Sequence, residues 1–195
     1  KQWVTPVVRA FVIHDCSIEC GCSNKHERIV LDTLNNLEAL KQLSLTLKVQ
    51  PRFVNLFGSG KVRQYTLKAD IGIMDGDKVR LFVEVDGGYH FGRLQQNKKY
   101  ANSTIKHDLK KEKYALEHGV PMIRISTNLV SKPEKYWKSV LEDAVMTSLH
   151  ANSFMICRLS NTECYLNTVY GLKRKNTALE VMDPKIVVPS LYVHG

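Results

Sequence analysis

The segment Leu81-Phe82-Val83-Glu84-Val85-Asp86-Gly87-Gly88 constrains this chain more than any other. Its apolar residues mark a buried strand, and the two glycines stop it. Strand side chains alternate between faces, so Glu84 and Asp86 project from the same side. They stand about 7 Å apart along the strand and repel each other unless a cation lies between them. The bland alternative is that Asp86-Gly87 starts a turn and Glu84 is solvated. Two acids flanking one valine on an apolar strand weigh against it.

The neighbouring sequence adds a third acid. Tyr65 to Met74 reads as a strand, joined to Val79–Asp86 by the hairpin turn Asp75-Gly76-Asp77-Lys78. Closing that hairpin brings Asp70 level with roughly Arg80 to Glu84. The carboxylates of Asp70 and Glu84 then meet near one end of the sheet. Asp70, Glu84 and Asp86 are hard oxygen ligands that suit Mg²⁺ or Mn²⁺. Such an ion activates water and steadies the charge that develops on a phosphodiester.

Other groups gather around these three. His90 lies four residues after Asp86, where it serves as an acid, a base or a ligand near neutral pH, or is a plain surface residue. The helix expected from Ser103 to Gly119 carries Lys106, His107, Asp108, Lys110, Lys111 and Lys113. Most of these fit a solvated face. Positions 107, 108 and 111 share a side, which turns Lys111 toward the carboxylates. Glu27, in the first turn of a helix, approaches from the opposite side or is merely a helix-dipole partner.

The element order predicts an α/β fold with a central mixed β-sheet flanked by helices. Val7 to His14 reads as a strand, and Ser23 caps a helix running to about Leu43 with apolar residues at helical spacing. Leu45 to Val49 alternates as a strand. Asn55 to Gln64 reads as a flexible basic loop; it lacks phosphate-loop spacing, and Val62 stands where a hydroxyl is needed. Val120 to Ile125 is a short buried strand. Pro133 opens a helix to about His150 whose buried face is Tyr136, Trp137, Val140, Leu141, Val145 and Leu149. The pattern changes after that, so residues 1–150 are read as the main domain and 151–195 as a small β-rich C-terminal appendage.

Composition narrows the function classes. The chain has 195 residues and a formal charge of +9. A basic protein favours a polyanionic partner, nucleic acid first. Lys61, Arg63, Lys68, Arg93, Lys98, Lys99, Lys106 and Lys110 are the candidate backbone contacts, which give affinity but no sequence reading. No apolar run approaches the roughly 18 residues of a membrane span, and no targeting pattern follows Lys1. The odd cysteine count (Cys16, Cys20, Cys22, Cys157, Cys164) suits a reducing intracellular compartment. The first three have an unusual spacing for zinc and read as reduced loop cysteines. Apolar segments such as Ile186-Val187-Val188 offer a sheet edge for a homodimer.

The residues from Glu27 to Ser126 resemble the PD-(D/E)xK nuclease superfamily, in particular its very-short-patch-repair and phage homing-type branch. The resemblance rests on several pieces in order: Glu27 with Leu31 and Leu34, then Lys68-Ala69-Asp70-Ile71. Glu84-Val85-Asp86-Gly87-Gly88-Tyr89-His90 follows, of the form E-x-D-G-x-x-H. Asp108 to Tyr114 matches D-x-x-K-x-x-Y, before Gly119 and Met122-Ile123-Arg124-Ile125. It implies a restriction-endonuclease-like sheet and Mg²⁺-dependent phosphodiester hydrolysis, on DNA in the first instance. Asp70 and Glu84 would be the principal ligands, with Asp86, His90 and Glu27 in support. The strand lysine of the superfamily is replaced by Asp86, so Lys111 or Lys68 must orient the water, or Asp86 and a second metal do so. Glu84 to Phe91 also resembles RAP domains, which implies a second reading as a non-catalytic nucleic-acid-binding module.

Overall fold

The computed structural model describes residues 24–58, 65–91, 98–151, 154–160 and 165, with the side chains of 57 and 98–102 left aside. The expected strand at Val7–His14, the cysteine loop and the segments beyond Tyr165 lie outside these residues. So do Lys61, Arg63 and Arg93.

Asn24 rather than Ser23 caps the first helix, α1 (Lys25–Asn35). The expected long helix breaks at Asn36, and α2 (Glu38–Gln42) resumes after it. Leu43 falls beyond the break and is exposed, while Val30, Leu31, Leu34, Leu37 and Leu40 are buried. Strand β1 (Thr46–Val49) follows as expected. The supposed basic loop begins instead as a strand, β2 (Arg52–Gly58), which pairs antiparallel with β3 (Tyr65–Lys68) in a separate two-stranded sheet. The single strand expected from Tyr65 to Met74 is broken at Ala69-Asp70, and β4 (Ile71–Asp75) starts after it.

Strand β5 (Lys78–Asp86) pairs antiparallel with β4 across the expected turn, where Gly76 takes φ +57°. A side chain disfavours that left-handed backbone, which explains the glycine. A 3₁₀ turn (Gly88–Phe91) leads toward α3 (Lys98–Glu117), which begins earlier than the expected Ser103. β6 (Met122–Ser126) then runs parallel to β5. After it come a short α4 (Thr127–Val130), a 3₁₀ turn (Glu134–Tyr136), α5 (Lys138–His150) and β7 (Ile156–Leu159). Pro133 therefore precedes a 3₁₀ turn, not the helix itself, and Tyr136 is exposed rather than buried.

The five-stranded sheet has the order β1-β4-β5-β6-β7. β7 pairs parallel with β6, so residues 156–159 belong to the central sheet and not to an appendage beyond residue 150. The reason is burial: Ile156-Cys157-Arg158-Leu159 is buried throughout, as in a parallel strand covered on both faces, although β7 is the last strand of the described sheet.

The two sheet faces differ chemically. Leu81, Val83, Val85, Ile123, Ile125, Cys157 and Leu159 join one core with α1, α2 and α5, including Trp137 and Leu141. The alternate residues of the same strands are Phe82, Glu84 and Asp86, then Met122, Arg124 and Ser126, then Ile156 and Arg158. Phe82, Met122 and Ile156 pack with Ala115 of α3 and with Phe53 and Leu67 of the small sheet. One face is thus wholly apolar. The other is apolar at one end and ionic at the other, beneath α3. Deleting one methyl from the apolar face with Ile73→Val should cost about 1 kcal/mol of unfolding free energy. Urea titration checks this; an unchanged midpoint would mean that Ile73 is not packed in the core.

Candidate active site

The ionic end of the sheet contains two side-chain groups with different charge balance. The first is built on Asp70, Glu84 and Lys111. The break between β3 and β4 is held by backbone hydrogen bonds: Ala69 N–H donates to Pro51 O (3.0 Å) and Gln50 N–H to Asp70 O (2.9 Å). Ile71 pairs with Val83, so Asp70 comes level with Glu84 as the hairpin predicted. Its carboxylate reaches β5, where Oδ2 accepts from Val85 N–H at 2.8 Å. Lys111 Nζ descends from α3 and donates to both carboxylate oxygens of Glu84, at 2.7 and 3.0 Å.

Two carboxylates thus share one ammonium. Burial pushes Asp70 up to about 6, with Lys111 pulling it back and Glu27 pushing further. Burial lifts Glu84 to about 8, against the pull of Lys111 and with the push of Asp70. Lys111 is itself raised by Glu84 and Asp70 despite its burial. Glu27 is buried in the first turn of α1, and its backbone N–H donates to Asn24 Oδ1, the helix cap. The Asn24 side-chain amide donates to the Glu27 carboxylate. Glu27 therefore sits in the first turn, where a helix-dipole partner was expected, bonds the capping Asn24, and raises Asp70 electrostatically.

The second group surrounds Arg124. Its guanidinium donates from Nε and Nη2 to both oxygens of Asp86 (2.7 Å each) and from Nη1 to Glu112 (3.0 Å). Nη2 also lies 3.2 Å from Asp108. Arg158 donates to both oxygens of Glu112 at 3.1 and 3.2 Å. His90 Nδ1 lies 2.8 Å from Asp108 and 3.2 Å from Asp86, and Tyr165 Oη donates to Asp86 at 3.0 Å. Burial disfavours the charged forms. Arg124 and His90 nevertheless hold Asp86 below its ordinary value and Asp108 well below the carboxylate range. Asp108 and Asp86 in turn lift His90 to about 9.

This second group corrects three expectations. Asp86 does not join Asp70 and Glu84 as one compact ligand set. Among the described residues, the three potential ligand atoms lying within 4.8 Å of one another belong to Asp86, His90 and Asp108. Arg124 already supplies the cation there: three carboxylates face three cationic side chains (Arg124, Arg158 and His90). At its raised pKa His90 is a charged partner near neutral pH, which disfavours the base and ligand roles among those its position allowed. Asp108 is buried rather than part of a solvated helix face, and Glu112 of the same helix is buried with it.

Arg124, Glu112 and Arg158 were missed as site residues. A signal existed: Met122-Ile-Arg-Ile-Ser and Ile156-Cys-Arg-Leu-Ser each place one arginine inside a buried strand. Such arginines require carboxylate partners.

A cleft of about 700 Å³ meets the first group at Lys111; Asp70 and Glu84 do not line it. Arg52, Tyr65, Thr66, Lys68, Thr104 and His107 line it, and Lys111, His90 and Asp108 form its inner wall. Lys68 is exposed there, with Nζ donating to Gln50 at 3.1 Å. Burial and Lys110 hold His107 below its ordinary value, so it is a neutral ring near pH 7. Arg52, which precedes the Asn55–Gln64 stretch read as a loop, was not among the expected contacts. Lys106 and Lys113 are exposed and Lys110 half-buried, none of them lining the cleft, and Lys113 pairs with Glu117 at 3.6 Å. Lys98 and Lys99 occupy the first turn of α3. No helix among the described residues is long and apolar enough to cross a membrane.

No protein-family model matches the chain, and comparison with curated proteins and with solved structures returns no match. The geometry of the cleft and its two side-chain groups therefore carries the functional argument.

Two outcomes follow from this geometry. Removing the Arg124 charge with Arg124→Met leaves Asp86, Asp108 and Glu112 buried without it and should cost about 3–5 kcal/mol in urea unfolding. A loss under about 1 kcal/mol would refute the network's structural role. The second concerns pH. Asp70, Glu84 and His90 all bind protons more tightly folded than unfolded, so stability falls as pH rises through their windows. Those windows run from about 4 to 6 for Asp70, 4.5 to 8 for Glu84 and 6.5 to 9 for His90. The thermal midpoint without divalent ions should drop between pH 5 and 9, and Glu84→Gln should flatten the part below pH 8. A midpoint that rises over this range would contradict the charge assignment.

Proposed function

We propose that the protein is a metal-dependent nuclease that hydrolyses phosphodiester bonds in nucleic acid, with DNA as its first substrate. The observation that carries this reading is the acid pair Asp70 and Glu84 sharing Lys111, a lysine that itself lines a cleft with Arg52 and Lys68. The pair fits a Mg²⁺ or Mn²⁺ ion: the donors are hard oxygens, and burial raises both carboxyl groups further than Lys111 alone pulls them back. Bound there, such an ion would supply an activated water and a Lewis acid.

The chain's own residues have distinct tasks. Asp70 and Glu84 hold the ion. Lys111, anchored on Glu84, presents an ammonium toward the scissile phosphate and replaces the lysine missing from the strand. Arg52 and Lys68 hold flanking phosphates on the cleft wall. Glu27 fixes the start of α1 and adds negative potential at Asp70. The Arg124 group keeps β5, β6 and α3 in register so that Lys111 meets Glu84.

Cleavage of plasmid, linear duplex, single strands, RNA and a four-way junction in Mg²⁺, Mn²⁺ or EDTA tests the reading. Metal-dependent cutting is expected. Asp70→Asn and Glu84→Gln should abolish it, and Lys111→Met should slow it about a hundredfold or more. Salt-sensitive binding with no cutting in any metal would move the protein to the non-catalytic, RAP-like alternative.

A further inference from the structure

The mouth of the cleft carries an exposed aromatic ring in a fixed place. Tyr65, on β3, is 48% exposed although it lines a concave surface. It pairs with Gly58 of β2, and the ring lies across that glycine. A Cβ at position 58 would stand 2.6 Å from the ring carbon that bears the hydroxyl, so a side chain there would push the ring out of this position. On the α3 side, the Tyr65 and His107 rings meet edge to face at 5.8 Å, with Oη and Nε2 3.4 Å apart. The ring is seated from two directions, yet half its surface remains open to water. Arg52 and Lys68 line the same cleft, which leads to Lys111.

An exposed aromatic on a pinned backbone, beside cations that track a phosphate chain, is the arrangement that stacks unpaired bases. In a duplex the base faces are covered by their neighbours, so a ring on the cleft wall gains nothing from them. We propose that Tyr65 is a stacking platform for an unpaired base. The cleft accordingly takes single-stranded or locally opened nucleic acid, with the adjoining phosphates on Arg52 and Lys68. The inference rests on reading the cleft as a nucleic-acid interface, and it narrows that reading to strands with an accessible base.

Fluorescence anisotropy with a labelled 15-nucleotide oligothymidine and a blunt duplex of equal length, in EDTA, tests it. A 2-aminopurine oligonucleotide reports stacking by quenching. The wild-type protein should bind the single strand more tightly and quench the probe. Tyr65→Ala should weaken single-strand binding about tenfold and remove the quenching while leaving duplex binding unchanged. Tyr65→Trp should restore both. Normal single-strand affinity and quenching in Tyr65→Ala would overturn the platform while leaving the nuclease reading intact. A wild-type protein that binds neither nucleic acid would overturn both readings.

Discussion

The guanidinium of Arg124, wholly buried between Asp86, Asp108 and Glu112, is the interaction on which the polar half of the sheet depends. It joins β5, β6 and α3, and Arg158 extends the join to β7 through Glu112. Buried ions lose hydration, and the loss is offset only when each charge is met with good geometry. Here the bidentate pairing with Asp86 provides that geometry. The arrangement fixes the depth of α3 over the sheet, and that depth decides whether Lys111 reaches Glu84.

Two neighbouring groups of acids thus serve different ends. Asp86 and Asp108 meet arginine and charged histidine, and their low pKa values express satisfied charge. Asp70 and Glu84 meet one lysine between them, and burial raises both groups further than that lysine pulls them back. A compact Asp-His-Asp trio would by distance alone suggest a metal centre. The guanidinium within 2.7 Å of Asp86 argues that a protein cation already fills that role. The acid pair with a single lysine lies two residues back along β5, at Glu84, and Lys111 joins it to the cleft.

Much of this was legible in the residues. Period-two alternation placed Glu84 and Asp86 on one face, and the turn at Asp75-Gly76-Asp77-Lys78 set Asp70 level with Glu84. Helical spacing turned Lys111 inward. What the sequence did not reveal was which acid each cation would choose. Asp86 looked like a ligand because the strand was read alone. Its partner stands on a parallel strand reached only after α3, so the pairing is nonlocal. The same limit hid β7, whose place in the sheet depends on β6 rather than on its own pattern. β2 was missed because Gly58-Ser59-Gly60 suggested a loop, whereas Gly58 makes room for the Tyr65 ring across the small sheet.

The most direct test of this division of charge is calorimetric titration of Mn²⁺ into the wild-type, Glu84→Gln and His90→Gln proteins. If Asp70 and Glu84 hold the ion, wild-type and His90→Gln proteins should titrate alike and Glu84→Gln should lose the binding heat. Binding that survives Glu84→Gln and disappears in His90→Gln would place the ion in the Asp86, His90 and Asp108 group and contradict the account.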